Sequence, residues 1–202
     1  MIYETESLLP LKLYQLLVGG IIPRPIAWVS SQSSDGITNL APYSFFSVAS
    51  CNPPILTITH VNSQNTIAKD TLTNLLETKE CVVNVVTESE IENMNLSCAS
   101  YPANKSEIDE LGLETVGSKL VKPPSIKASP VRYECRLRET LSLSDKPLGG
   151  VLILLDVVAV YVDNKVIEDE LIKADKLKAV GKLGDNDYCR ANADLTLLRP
   201  VI

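Results

Sequence analysis

Residues 39–58 read NLAPYSFFSVASCNPPILTI, two apolar runs separated by a proline pair. The segment is β-rich in character, but small polar groups (Asn39, Ser44, Ser47, Ser50, Cys51, Asn52, Thr57) are threaded among Phe45, Phe46 and Ile55. In a strand, successive side chains point to opposite faces, so Ser44 and Ser47 fall on different sides. Pro42 marks an edge or a bulge, because proline gives the ladder no donor. Between the runs, Ser50-Cys51-Asn52-Pro53 is a short loop whose N–H groups cannot all be ladder-paired. Immediately upstream, Ile26 to Ser31 (IAWVSS) predicts a strand, and Asp35-Gly36 predicts the hairpin turn into a returning strand over Ile37 to Ala49. Downstream of Pro53-Pro54, Ile55 to Val61 predicts a third strand.

The pattern continues outward. Leu9, Leu13, Leu16 and Leu17 lie at helical spacing, closed by Gly19-Gly20, and Pro23-Arg24-Pro25 forces extended backbone. Asp70 precedes Leu72, Leu75 and Leu76 and suits the N-cap of a helix. Cys81 to Thr87 predicts a strand and Glu88 to Ser97 a short helix. Ser100 to Pro130 is proline-rich, with at most one helical turn near Glu107 to Leu111, and is too long for a hairpin loop. Val131 to Leu143 and Val151 to Val162 predict long strands. Hairpin connections without regular βαβ alternation indicate a mainly β, mostly antiparallel barrel with peripheral helices. The 202 residues fit one domain, 1–202, with an irregular excursion at about 100–130.

Composition removes several function classes. The net charge is −6, from 19 basic and 25 acidic residues, which argues against a nucleic-acid binder. Five cysteines, Cys51, Cys81, Cys98, Cys135 and Cys189, contain no C-x-x-C pair, so neither a disulfide framework nor a zinc site is expected, and a reducing cytoplasm fits. No apolar run is long enough for a membrane helix. The single histidine, His60, lacks a nucleophile-elbow motif and reads as a locally bonded strand-end residue. Gly19-Gly20 and Gly149-Gly150 are isolated pairs, neither a dinucleotide fingerprint nor a P-loop. Two candidates remain. Lys69-Asp70-Thr71 at a helix start could hold an anion or be a plain capped surface helix. The polar groups of residues 39–58 could rim a planar ligand or merely satisfy edge-strand backbone. On composition and spacing both questions stay open.

PRPIAWVSS, DGITNLAPYSFF, NPPILTI and KDTLTNL, in that order, with CVVNVV, NMNLS, KPPSIKASPVRYECRL and VGKLGDNDYCR later, resemble the flavin reductase-like FMN-binding split-barrel family, and within it the flavoredoxin and nitrilotriacetate-monooxygenase reductase-component branch. The resemblance covers about residues 15–190 and implies a six-stranded, antiparallel Greek-key split barrel, a homodimer, and one non-covalent FMN per subunit near the interface. It implies that Asn39, Ala41, Pro42, Ser44 and Ser47 line the flavin and its ribityl chain. Ser50, Cys51 and Asn52 would follow the ring edge, and Lys69 and Thr71 would hold the phosphate or polar rim. Arg24 would stand at the edge of the site, and Tyr188 and Arg190 would close it, from the same or the partner subunit. The implied activity is that of an NAD(P)H-dependent flavin oxidoreductase, with NADH or NADPH as reductant and a monooxygenase or redox protein as electron acceptor. The alternatives are an FMN-holding electron carrier reduced by a protein partner and a non-redox split-barrel binding module.

Overall fold

The computed structural model describes residues 1–62 and 70–201. A helix, Pro10–Gly20 (α1), opens the chain after a short 3-10 turn at Thr5–Ser7. Arg24–Pro25 (β1), Ala27–Gln32 (β2), Thr38–Tyr43 (β3), Phe46–Cys51 (β4) and Pro54–Val61 (β5) follow. Then come Asp70–Thr78 (α2), Glu80–Val85 (β6), Ile91–Leu96 (α3) and Glu107–Glu110 (α4). The two-residue strands Thr115–Val116 (β7) and Ser125–Ile126 (β8) pair with each other, ahead of the long hairpin Val131–Ser142 (β9) and Gly150–Val162 (β10). Ile167–Glu168 (β11) pairs Leu171–Ile172 (β12), Ala174–Leu177 (α5) follows, and Val180–Lys182 (β13) and Tyr188–Arg190 (β14) end the regular structure.

The main sheet has seven strands in the order β3-β2-β6-β9-β10-β5-β4, every pairing antiparallel. The expected single strand over Ile37 to Ala49 is two strands here. The chain bends at Ser44–Phe45, so β3 and β4 occupy opposite edges of one curved sheet, and β1, β13 and β14 form a separate small sheet. The Asp35-Gly36 turn is where the sequence places it, with Gly36 at φ +90°, a conformation that costs glycine little. Bulges interrupt the β9–β10 and β4–β5 ladders and sharpen the local twist.

Inside the sheet, Ala27, Val29, Tyr43, Leu56, Ile58, Leu75, Cys81, Val83, Cys135, Ile153 and Leu155 form the barrel core. Alternation then turns Trp28 and Leu40 to the other face, where they join Met94, Ile108, Ile126 and Val180 in a second core. The excursion over 100–130 covers that outer face. Its main chain is tied down by side chains of the sheet. Glu134 accepts the Lys119 and Leu120 N–H groups at 2.7 and 2.6 Å, Glu80 accepts Lys122 N–H at 2.9 Å and Asn84 Oδ1 accepts Ile126 N–H at 2.9 Å. Such bonds let a long irregular segment pack on a sheet without orphaned donors.

Candidate functional site

The residues expected to surround a ligand fall into four groups. The innermost joins β3 to α2. Asn39 donates its amide N–H to the Thr71 hydroxyl at 2.8 Å, and both residues are buried. Ala41 and Tyr43 share the Asn39 face of β3. Burial pushes the Tyr43 phenol well above its ordinary range, against a lowering hydrogen bond from Thr71. One turn further along α2, Asn74 donates to Ser31 Oγ at 3.1 Å. Thr71 is fully enclosed, so its part in this structure is to hold Asn39 and the helix start in register. Asp70 is the first described residue of α2, and partial burial raises its carboxyl above the usual range. Lys69, the candidate phosphate ligand, lies outside the described residues.

A second group lies across the bend after β3. Arg24 is only 6% exposed. Its guanidinium donates to the carbonyl oxygens of Val18, of Ile21 at 3.0 Å and of Leu183 at 2.9 Å, and more weakly to Ser44 Oγ at 3.4 Å. Val18 and Ile21 stand at the end of α1, where unpaired carbonyls and the helix dipole favour a cation. Arg24 thus clamps α1, β1 and the loop after β13 together. Its donors are engaged with the protein, and what it offers a ligand is a fixed positive charge. Ser44 accepts from Arg24 and keeps its own proton for donation.

The third group is the edge strand β4 and the turn after it. Ser47, Cys51 and Asn52 are exposed and Ser50 is half-buried. Among the described residues β4 pairs only with β5, so the outward half of its N–H and C=O groups is open to a ligand. The Asn52-Pro53 peptide is cis, as is Ile22-Pro23 beside Arg24. Pro42, half-buried, shares the Leu40 face of β3, opposite Asn39 and Ala41. One pocket cannot therefore be lined by both sides of β3 at once. A ligand held by all these residues has to run along the edge of the strand and past its bend.

Tyr188 and Arg190 make the fourth group, on β14. The small sheet places Arg24 opposite Lys182 and Lys182 opposite Tyr188. Lys182 Nζ lies 4.2 Å from the Tyr188 ring centroid, a cation–π contact, and also donates to the carbonyls of Asp185 and Asp187. Desolvation first, and then the nearby Arg24, lowers the Lys182 ammonium from its ordinary value. Tyr188 donates to Asn95 Oδ1 at 3.3 Å, and Arg190 is exposed and paired with Glu88 at 2.7 Å. Arg190 thus faces Glu88, away from the row that contains Arg24. A cavity of about 490 Å³ near it is lined by Thr87, Glu88, Asp163, Lys165 and Lys178, among others, and by none of the twelve expected residues that the structure describes.

Sequence reasoning missed two contributors. Lys182 is one, and its signal was the turn L-G-D-N-D, whose carbonyls receive the ammonium. Glu107 is the other. Its carboxylate, 5% exposed, accepts the outward N–H of Leu40 on edge strand β3 at 2.8 Å, while its neighbour Ser106 shares a 2.6 Å hydroxyl contact with Thr38. Burial raises the Glu107 carboxyl, partly offset by the Leu40 N–H. The S-E-I-D pattern of 106–109 was legible as a helix cap, with Ser106 accepting Asp109 N–H. Its docking on β3 was not.

The donor set suits FMN. Open edge N–H groups, serine hydroxyls and the Asn52 amide match a ring rimmed by carbonyl and nitrogen acceptors, and the neighbouring Arg24 and Lys182 suit an anionic group. Residues 19–180 match the family model described as flavin reductase like domain. The chain is 38% identical over 203 residues to the uncharacterized protein YwrF of Bacillus subtilis, covering 98% of each. Among solved structures it is similar to nitrilotriacetate monooxygenase component B from Bacillus cereus, with TM-score 0.91, 31% identity and 98% of both chains covered. It is also similar to the 2-nitrobenzoate 2-nitroreductase NbaA of Pseudomonas fluorescens, with TM-score 0.88, 30% identity and coverage of 99% and 96%. A chain with this split-barrel sheet, matched over most of its length, belongs to the flavin reductase-like family.

Proposed function

We propose that the protein is an FMN-dependent oxidoreductase, in which NADH or NADPH gives hydride to FMN bound at the β3–β4 bend and along the edge of β4. The observation that carries the reading is the joining of two distant stretches by the buried Asn39–Thr71 bond, which sets the start of α2 at Asp70-Thr71 beside NLAPYS. FMN, when bound, supplies the hydride-accepting centre, so no side-chain nucleophile is required. The chain's own residues bind, orient and stabilise charge. The β4 edge and the Ser50–Asn52 turn give donors to the ring rim. Ser44 gives a hydroxyl that Arg24 has already oriented. Arg24, permanently charged, and Lys182 raise the local potential where a reduced, negatively charged ring or a phosphate would lie.

The reading includes a homodimer. The outer face of β5–β10–β9 carries Thr57, Thr59, Leu152, Leu154 and Leu141, paired across the strands, and Leu141 and Leu143 are exposed. Partly exposed leucines on a sheet face favour self-association. Among the described residues no helix is long and apolar enough to cross a membrane. A cytoplasmic location and a monooxygenase or redox protein as electron acceptor complete the proposal. The test is anaerobic mixing of the FMN-loaded protein with NADH and with NADPH, following the oxidised flavin's visible absorbance. Bleaching by either supports a nicotinamide-driven reductase. Flavin that stays oxidised with both but is reduced by dithionite marks an electron carrier. A protein that takes up no FMN from excess marks a non-redox module.

A further inference from the structure

Two apolar features of the chain have no cover among the described residues. The first is α1 and its flanks. Of its eleven residues only Val18 is buried, while Leu9, Leu11, Leu16, Leu17, Ile21 and Ile22 are exposed. A surface helix ordinarily hides one apolar stripe and shows polar residues elsewhere. This one shows leucines to solvent, with Lys12 its only charge. The second is the C-terminal segment. Ala191 N–H bonds to Ala179 C=O, and residues 191–201 then form no helix or strand. Leu195, Leu197, Leu198 and Val201 are 89–98% exposed. A solvated tail is expected to be polar, and this one, ADLTLLRPV, carries three leucines and a valine, with Asp194 and Arg199 its only charges. Leu195 and Leu197 flank Thr196, so in extended form both point to one side, and Pro200 keeps Arg199 extended.

We infer that residues 191–201 of one copy are an exchanged arm lying along α1 of a second copy, with the reciprocal contact made by the other arm. Eleven extended residues span roughly 36 Å, against about 16 Å for the axis of α1, so the arm can run the length of the helix. The receptor is rigid, because Arg24 fixes the end of α1 through Val18 and Ile21. Asp194 on the arm and Lys12 on the helix are opposite in sign. Two uncovered surfaces on the same chain, each able to cover the other, are satisfied together by a two-fold arrangement. The arm also bears on the site. Tyr14 of α1 stacks on Phe45 with ring centroids 6.5 Å apart, and Phe45 follows Ser44 at the bend. The second copy's arm therefore forms the outer wall of the site, on the side away from the barrel.

The inference does not depend on the flavin reading, and its test needs no flavin. The photo-crosslinker p-benzoylphenylalanine is placed at Leu197 and, separately, at Leu198 in the full chain. The expected product runs at twice the chain mass under denaturing conditions, with peptides 191–201 and 9–22 joined. A crosslink confined to one chain, or joined to another element, overturns the proposal. Deleting residues 191–202 is expected to speed amide exchange in α1 and to weaken self-association at least tenfold. Unchanged exchange and unchanged assembly overturn it equally.

Discussion

Glu107 is the strongest single test of how the edge of β3 is held. The outer N–H of an edge strand has no ladder partner, and among the described residues Leu40 finds its acceptor in the Glu107 carboxylate at 2.8 Å. Glu107→Ala leaves that buried N–H unsatisfied, which costs about 1–3 kcal/mol. For a chain of this size each kcal/mol lowers Tm by roughly 2–4 °C, so the variant melts about 2–12 °C lower. Glu107→Gln behaves differently. Its amide oxygen can accept the same N–H, and it removes a charge that the site desolvates and that Asp70 repels. The sign follows from linkage. The folded state raises the Glu107 carboxyl above its unfolded value of about 4.3, so the folded state holds the proton more tightly. This contribution is fully present below the unfolded value and is lost as pH rises through the folded one. Glu107→Gln is therefore expected to match wild type at low pH and to equal or exceed it at pH 7. Urea melts of the three proteins at both pH values read this directly. If Glu107→Ala stays within about 0.5 kcal/mol of wild type, the span of an ordinary surface substitution, or if Gln is as damaging as Ala at pH 7, the account of the β3 edge is wrong.

Three further outcomes are expected. Arg24→Lys loses about 2–3 kcal/mol in urea denaturation, because an ammonium cannot serve carbonyls of α1 and of Leu183 with one rigid fork; a stability equal to wild type would refute the clamp. Thr71→Val, which strands the Asn39 amide, weakens FMN by roughly tenfold in a fluorescence titration, equivalent to about 1.4 kcal/mol, whereas Thr71→Ser retains affinity; equal effects of the two would show that the hydroxyl is irrelevant. A thiol reagent labels the exposed Cys51 and Cys98 and spares Cys81 and Cys135, which are fully buried, the Cys81 thiol being held well above its usual range by its hydrogen bond to Cys135 and by burial. Added FMN should slow labelling at Cys51 and leave Cys98 unchanged. Equal protection of both would move the flavin away from the β4 turn.

Local chemistry made much of the fold legible. The Asp35-Gly36 turn, the long β9–β10 hairpin, the helix over Leu72 to Leu76 and the single helical turn at 107–110 all carry their signals within a few residues. The division of β3 from β4 does not. Between Tyr43 and Phe46 there is no glycine or proline, and apolar and hydroxyl residues continue without a break. The chain bends there for a tertiary reason: Ser44 meets Arg24, twenty residues earlier, and Phe45 C=O accepts Thr59 N–H at 2.8 Å on the next strand but one. The helix over 10–20 was legible as a helix. Its exposure was not, because apolar spacing reports a face that wants cover and says nothing about which chain provides it.

The candidate site divides along the same line. Asn39 and Ser44 could be singled out because hydroxyls and amides are out of place in apolar strands, and Thr71 because it stands at a helix start. Arg24 and Lys182 could not be weighed, since a cation's effect depends on what satisfies it. Arg24 donates to at least three carbonyl oxygens, with no carboxylate paired to it among the described residues. Dipoles therefore hold its charge, and dipoles leave it un-neutralised. A carboxylate partner would have cancelled the field that an anionic ligand needs. Burying a guanidinium against carbonyls costs more than pairing it, and a fold that does so beside an open strand edge keeps positive potential where a bound anion can use it. Arg24→Gln, which keeps some donors but removes the charge, separates the two roles. It is expected to retain much of the stability that Arg24→Ala loses, and still to bind FMN more weakly and with a flatter dependence on salt. If the salt dependence is the same as in wild type, Arg24 is a clamp only, and the charge at this corner comes from Lys182 alone.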